Sequence, residues 1–278
     1  MKAKVVVPIV VVIVAVIACA VFLCMPMPTA VDAQEVVNNA IAALKSVNSC
    51  SMVINMTMTI EVQGQRMDIG MDVYGLVDYV DREIYMDMSV SGLPQTPQEV
   101  PRRMEIYVLR NQTMYVAYMP DEKARWIKSY IPDEEWNRMF TQLNTSFTEL
   151  AQASQLKYVG TETVSGFECY VIEFKPTPEE LAEYVQSIMG PQAPQTEAPY
   201  NLSQIIKEGL KEFTVKMWIS KSDYTVRKQD ISMKLSITIM GVTANMDLKM
   251  LALMNWNIPV EVELPPEAQQ AIEVPSTS

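Results

Sequence analysis

Met52-Val53-Ile54-Asn55-Met56-Thr57-Met58-Thr59-Ile60-Glu61-Val62 decides the fold class. Its even positions are apolar throughout and its odd positions mostly polar, a period of two that suits a strand with one covered and one wet face. The alternation recurs at Met67, Ile69, Met71 and Val73 against Arg66, Asp68, Gly70 and Asp72, then at Ile84, Met86, Met88 and Val90 against Glu83, Tyr85, Asp87 and Ser89. Turn residues at Gln63-Gly64-Gln65 and around Asp78 to Asp81 join these runs into an antiparallel meander. Further strands are predicted at 104–109, 113–119, 126–128, 155–162 and 167–174. Three long ones follow at 213–220, 228–240 and 244–252, with Phe213, Val215, Met217 and Ile219, then Ile231, Met233, Leu235, Ile237 and Ile239, then Met246, Leu248 and Met250 facing inward.

Helical spacing interrupts the strands at four places. Residues 34–47 place Val36, Val37, Ala40, Ile41, Leu44 and Val47 on one side, and 133–152 place Trp136, Met139, Phe140, Leu143, Phe147 and Leu150 on another. Thr177-Pro178-Glu179-Glu180 opens a third helix with a capping box, and 202–210 form a short fourth. Proline-bearing stretches at 92–101 and 191–199 read as loops. The expected fold is therefore α+β. An antiparallel sheet of about ten strands curls into a half-barrel, because sheets this wide rarely stay flat, and the helices cover its concave apolar face.

Composition narrows the chemistry. The chain has 278 residues, 49% of them hydrophobic and 20% charged, enough apolar material for a large core. With 22 basic and 33 acidic residues the net charge is −11, which argues against a nucleic-acid partner. Histidine is absent, which removes His-dependent triads and imidazole metal sites, and the 9 glycines form no phosphate-cradling loop. No catalytic residue, cofactor or metal is expected, and the acidic runs Asp133-Glu134-Glu135 and Glu179-Glu180 read as helix starts favoured by the macrodipole.

Methionine is the unusual signal: 21 residues, most of them on inward strand positions. Single methionines commonly fill irregular cores, but a whole face of unbranched thioethers adapts to variable occupants and specifies packing poorly. Three readings stand: a closed core, copper(I) held by thioethers, or an apolar cavity. The last is the leading one, with walls of Met52, Ile54, Met56, Met58, Met67, Ile69, Met71, Ile84, Met86, Met88, Met217, Met233, Leu235, Met246 and Met250. Trp136, Met139, Phe140, Leu143 and Phe147 would form a movable lid helix over it.

The amino-terminal residues bear on location. Lys2 and Lys4 precede an uncharged run over 5–25, which as a helix would span about 31 Å, close to the hydrocarbon thickness of a bilayer. The basic flank places the rest of the chain on the extracytoplasmic side. The run is read as a retained anchor, a lipoprotein signal with Cys19 as the lipidation site, or a signal peptide cleaved after Val31-Asp32-Ala33. In an oxidising compartment Cys50 and Cys169 could form a disulfide worth roughly 4 to 5 kcal/mol, the alternative being two free buried thiols. Sequons at Asn55, Asn111, Asn144 and Asn201 are compatible with glycosylation.

Tyr158 through Ile172, Tyr158-Val159-Gly160-Thr161-Glu162-Thr163-Val164-Ser165-Gly166-Phe167-Glu168-Cys169-Tyr170-Val171-Ile172, resembles the strand-turn-strand of the LolA-like superfamily, which includes the LolA and LolB lipoprotein carriers and LppX/LprG-type lipoproteins. Met217-Trp218-Ile219-Ser220, residues 224–228 and the terminal Ile258-Pro259-Val260-Glu261-Val262-Glu263-Leu264-Pro265 agree with it. The resemblance implies a half-barrel around helices, an apolar cavity for acyl chains and no catalytic residues. The expected organisation is a membrane segment at 1–25, a linker at 26–33, the half-barrel domain at 34–268 and a tail at 269–278. The expected function is a membrane-tethered extracytoplasmic binder of lipids or lipoprotein acyl chains, with an envelope sensor or regulator that contacts a protein partner as the rival.

Overall fold

Gln63 and Gly64 take positive φ of 52° and 78°, the type I′ signature whose twist matches the strands it joins. In the computed structural model, which describes residues 31–93, 102–118, 124–189, 202–239 and 241–275, this turn pairs β1 (Ser49–Val62) with β2 (Gln65–Asp78) along their whole length. Ser165 and Gly166, at 50° and 85°, do the same for β7 (Leu156–Val164) and β8 (Phe167–Phe174). The meander continues from β2 through β3 (Glu83–Ser91), β4 (Arg103–Val108), β5 (Thr113–Tyr118) and β6 (Arg125–Tyr130). From β8 it runs through β9 (Leu210–Ser220), β10 (Val226–Ile239) and β11 (Val242–Trp256). Strand β11 then pairs with β1, Cys50 opposite Trp256 and Val62 opposite Ala244, which joins the two halves into one sheet.

The sheet has twelve strands in the order β12-β6-β5-β4-β3-β2-β1-β11-β10-β9-β8-β7, and it is not closed. The added strand is β12 (Ile272–Glu273), the one parallel member, which pairs with β6. Two residues carry no readable period, and they lie in the segment expected to be a tail. A 3₁₀ turn (Pro266–Gln270) leads into β12 across the expected boundary between domain and tail. The region Ala33–Ser278 forms one compact unit.

Four helices form where the spacing predicts them: α1 (Ala33–Leu44), α2 (Asp133–Ala153), α3 (Pro178–Met189) and α4 (Leu202–Gly209). The capping box of α3 is present, the Thr177 backbone N–H donating to Glu180 Oε2 at 2.8 Å and the Glu180 backbone N–H to Thr177 Oγ1 at 3.2 Å. Helix α1 buries Val36, Val37, Ala40 and Leu44 and lies against α2, β7 and β9, while α4 lies against α3, β9 and β10. Gly209 permits that last approach, since a Cβ there would stand 2.6 Å from the Ser236 carbonyl oxygen.

Cys50 and Cys169 are both free and buried, the second of the two alternatives that the sequence leaves open. Cys50 packs with Val77, Ile84 and Trp136, and Cys169 with Val164, Val171 and Trp218. Their strands are separated by β11, β10 and β9, four strand-to-strand steps of about 4.8 Å each along the sheet, too far for a bond that needs Cα atoms within about 7 Å. The 5–25 run and Cys19 lie outside the described residues; among those described, no helix is long and apolar enough to cross a membrane.

Candidate functional site

Register carries the apolar positions of neighbouring strands into continuous rows. One row runs Met71, Met56, Met250, Ile231, Val215; the next Ile69, Met58, Leu248, Met233, Phe213; the next Met67, Ile60, Met246, Leu235, Leu210. None of these side chains titrates. The charges stand on the other face, where Asn55 donates to Asp72 at 2.6 Å, Thr59 to Asp68 at 2.6 Å and Lys234 to Glu212 at 2.9 Å.

Burial divides the inner face into two parts. At one end Cys50, Val77, Ile84, Val108 and Ile131 close against Trp136 and Phe140 of α2, whose exposures are 4% and 6% and whose rings meet edge-on at 5.0 Å. Burial pushes the Cys50 thiol up to about 12 and raises the Tyr79 hydroxyl as well. Farther along the same strands, Ile54, Met56, Met58, Ile60, Met67, Ile69, Met71, Met88, Met246, Leu248 and Met250 are only half-buried. On the β9 side the rows close again, with Phe213, Val215, Ile231 and Leu235 buried beside α4.

This geometry sorts the fifteen expected wall residues. Ile84, Met217 and Leu235 are buried core, at 3%, 0% and 6% exposure. Met52 and Met86 pack against the closed cluster. Ile54, Met56, Met58, Met67, Ile69, Met71, Met88, Met233, Met246 and Met250 share the half-buried inner surface. Trp136 and Phe140, expected in a movable lid, are buried in the core against Cys50, Val77, Ile84, Val108 and Ile131, and Met139 packs beside them. Leu143 and Phe147 lie on the same helix, and their side chains are outside what the structure describes. Sequence reading ended β11 at residue 252 and so missed Met254 and Trp256, which pack on the closed cluster; the Trp256 indole N–H donates to the Val226 carbonyl at 2.7 Å.

Of the sequons, Asn55 is exposed on the outer face, Asn111 is exposed in the β4–β5 turn, Asn144 lies in α2 with its side chain undescribed, and Asn201 lies outside the described residues. Among the described residues no group of His, Cys, Asp and Glu could hold a metal ion.

A family model described as a family of unknown function, DUF6612, matches residues 32–273. No curated protein matches the chain. Among solved structures the chain is similar to LprF from Mycobacterium bovis, at 15% identity and a TM-score of 0.44, covering 84% of this chain and 96% of that one. It is likewise similar to the lipoprotein LppX of Mycobacterium tuberculosis, at 12% identity and 0.44, covering 83% and 97%. A LolA superfamily protein from Nitrosomonas europaea is similar at 12% identity and 0.23, covering 86% and 97%.

Proposed function

We propose that this chain, which belongs to the DUF6612 family, binds long apolar chains, those of lipids or of lipoprotein acyl groups, along the half-buried inner face of β2, β1 and β11. The observation that supports this is the row structure itself: thioether and aliphatic side chains in register, devoid of titratable groups and left half-buried between two closed ends. Such a surface favours an elongated apolar ligand without specifying its shape. Removing about 300 Å² of apolar surface from water would contribute roughly 7 kcal/mol, against which the association entropy must be set. The protein would do this outside the cytoplasmic membrane, tethered by the 5–25 run, and would use no catalytic group.

The test is solvent extraction of the purified protein followed by mass spectrometry of what is released. Parent protein is expected to yield lipid, and Met56→Arg, which places a charge in the middle of the half-buried rows, is expected to yield little while unfolding at an unchanged denaturant concentration. A parent protein that carries no lipid and takes up none from vesicles would sink the reading and favour the sensor role.

A further inference from the structure

The opposite face of the sheet carries a second feature, independent of the apolar rows. After β11 the chain runs extended from Ile258 to Pro265 and crosses the outer side of β2 to β6. Val262 and Leu264 pack there on a cluster of Tyr107, Ala117, Trp126 and Ala268. The alternate residues Glu261 and Glu263 stay exposed, and with Leu76, Tyr85 and Tyr107 they line a groove of about 260 Å³. Its floor belongs to an aromatic ladder. Tyr74 meets Tyr85 edge-on at 6.3 Å, Tyr85 and Tyr107 lie 4.8 Å apart at 45°, and Tyr107 and Trp126 lie 5.8 Å apart. Burial raises the Tyr85 and Tyr107 hydroxyls, so both rings stay neutral near pH 7.

The nearby cation is already engaged. Arg103 holds Asp87 through two bonds of 3.0 and 2.9 Å and reaches Glu105 at 3.2 Å, while Tyr107 Oη donates to Glu105 at 3.1 Å. Among the described residues no ion pair reaches Glu261 or Glu263. The groove therefore offers tyrosine surface and two exposed carboxylates that no described cation pairs.

We infer that this groove is a binding site for an organic cation, a guanidinium or alkylammonium group, presented either as a free small molecule or as a side chain of a peptide. An anion would meet two carboxylates. A small inorganic cation would lose its hydration shell against tyrosine rings, whereas a broad, weakly hydrated cation gains from the ring quadrupole and the carboxylates at once. The volume suits a group of side-chain size.

Isothermal titration of the full-length protein near neutral pH, with N-acetyl-argininamide and its neutral urea analogue N-acetyl-citrullinamide, tests this. The cation is expected to bind, and the analogue to bind about tenfold more weakly or not at all. Glu261→Gln combined with Glu263→Gln should weaken the cation about tenfold and flatten its salt dependence. Tyr85→Leu should weaken it comparably and Tyr85→Phe should leave it nearly unchanged, each variant retaining the parent's thermal midpoint. Acetyl-Gly-Arg-Gly-amide binding more tightly than the single amide assigns the site to a side chain on a peptide, and equal affinity assigns it to a free cation; either upholds the inference. Absence of binding, equal affinity for the urea analogue, or full affinity in the double glutamine variant would overturn it.

Discussion

Cys50 and Met58 stand on one strand, on one face and in one register, yet one lies in a closed core and the other on a half-buried surface. The closed end is built around Val77, Ile84, Val108, Trp136 and Phe140, branched and aromatic side chains buried together. The half-buried length is built from Met56, Met58, Met67, Met71, Met246 and Met250 beside Ile54, Ile60, Ile69 and Leu248. Both lengths satisfy the same period of two. The contrast lies in burial rather than in composition alone, since Met52, Met86, Met114, Met139 and Met254 pack against the closed end as well. Stability is thus concentrated at one end of the sheet and adaptability along the rest.

The largest expected effect breaks the comparison at its stable end. Trp136→Ala removes a ring packed among Cys50, Val77 and Ile84 and should cost about 3 to 5 kcal/mol in denaturant unfolding. Met58→Ala, on the half-buried length, should cost about 1 kcal/mol or less, because water already reaches its thioether. Equal losses for the two variants would mean that the inner face is one uniform core.

The boundary between the two lengths is marked by Gly75, which faces Met52 in the row next to the closed cluster. A Cβ at Gly75 would stand 2.9 Å from Met52 Cγ and 3.3 Å from its sulfur. Gly75→Ala should therefore cost about 1 to 2 kcal/mol by overpacking, and combining it with Met52→Ala should recover most of that loss. A double-mutant cycle in which the two effects simply add would show that Met52 does not rest on this glycine.

Much of this division was legible in the residues. Strict alternation put the expected methionines of β1, β2 and β11 into common rows, though it stopped short of Met254, and the turn at Gln63-Gly64 set the β1–β2 register without reference to the rest of the fold. The capping box at Thr177 located the start of α3 because its two hydrogen bonds are local. What alternation cannot carry is cover. Ile84 and Met88 share one face of β3, yet Ile84 is buried in a cluster with Trp136 and Phe140 while Met88 is half-buried. The same blindness left the disulfide open, since residues 50 and 169 acquire their separation from the order of strands between them. The outer groove was missed because Glu261 and Glu263 gain meaning only where their segment crosses Tyr85 and Tyr107.

The smallest effect sharpens the comparison through protons. A thiol in the unfolded chain ionises near 8.5, whereas Cys50 in the closed end is held at about 12 by burial. Between those values the unfolded chain has released a proton that the folded chain retains, so stability falls as pH rises above about 8.5. The slope from one such group is at most about 1.4 kcal/mol per pH unit. Cys169, also raised by burial, adds to the slope in the same direction. Cys50→Val should make the decline from pH 8 to 10 visibly shallower, while Met58→Ala should leave the slope at its parent value, since no ionisable group lies in its row. Iodoacetamide at pH 8 should modify neither Cys50 nor Cys169 until denaturant opens the protein. Rapid labelling of Cys50 in the folded state would place water inside the end taken here to be closed, and the two lengths of β1 would then differ in composition without differing in packing.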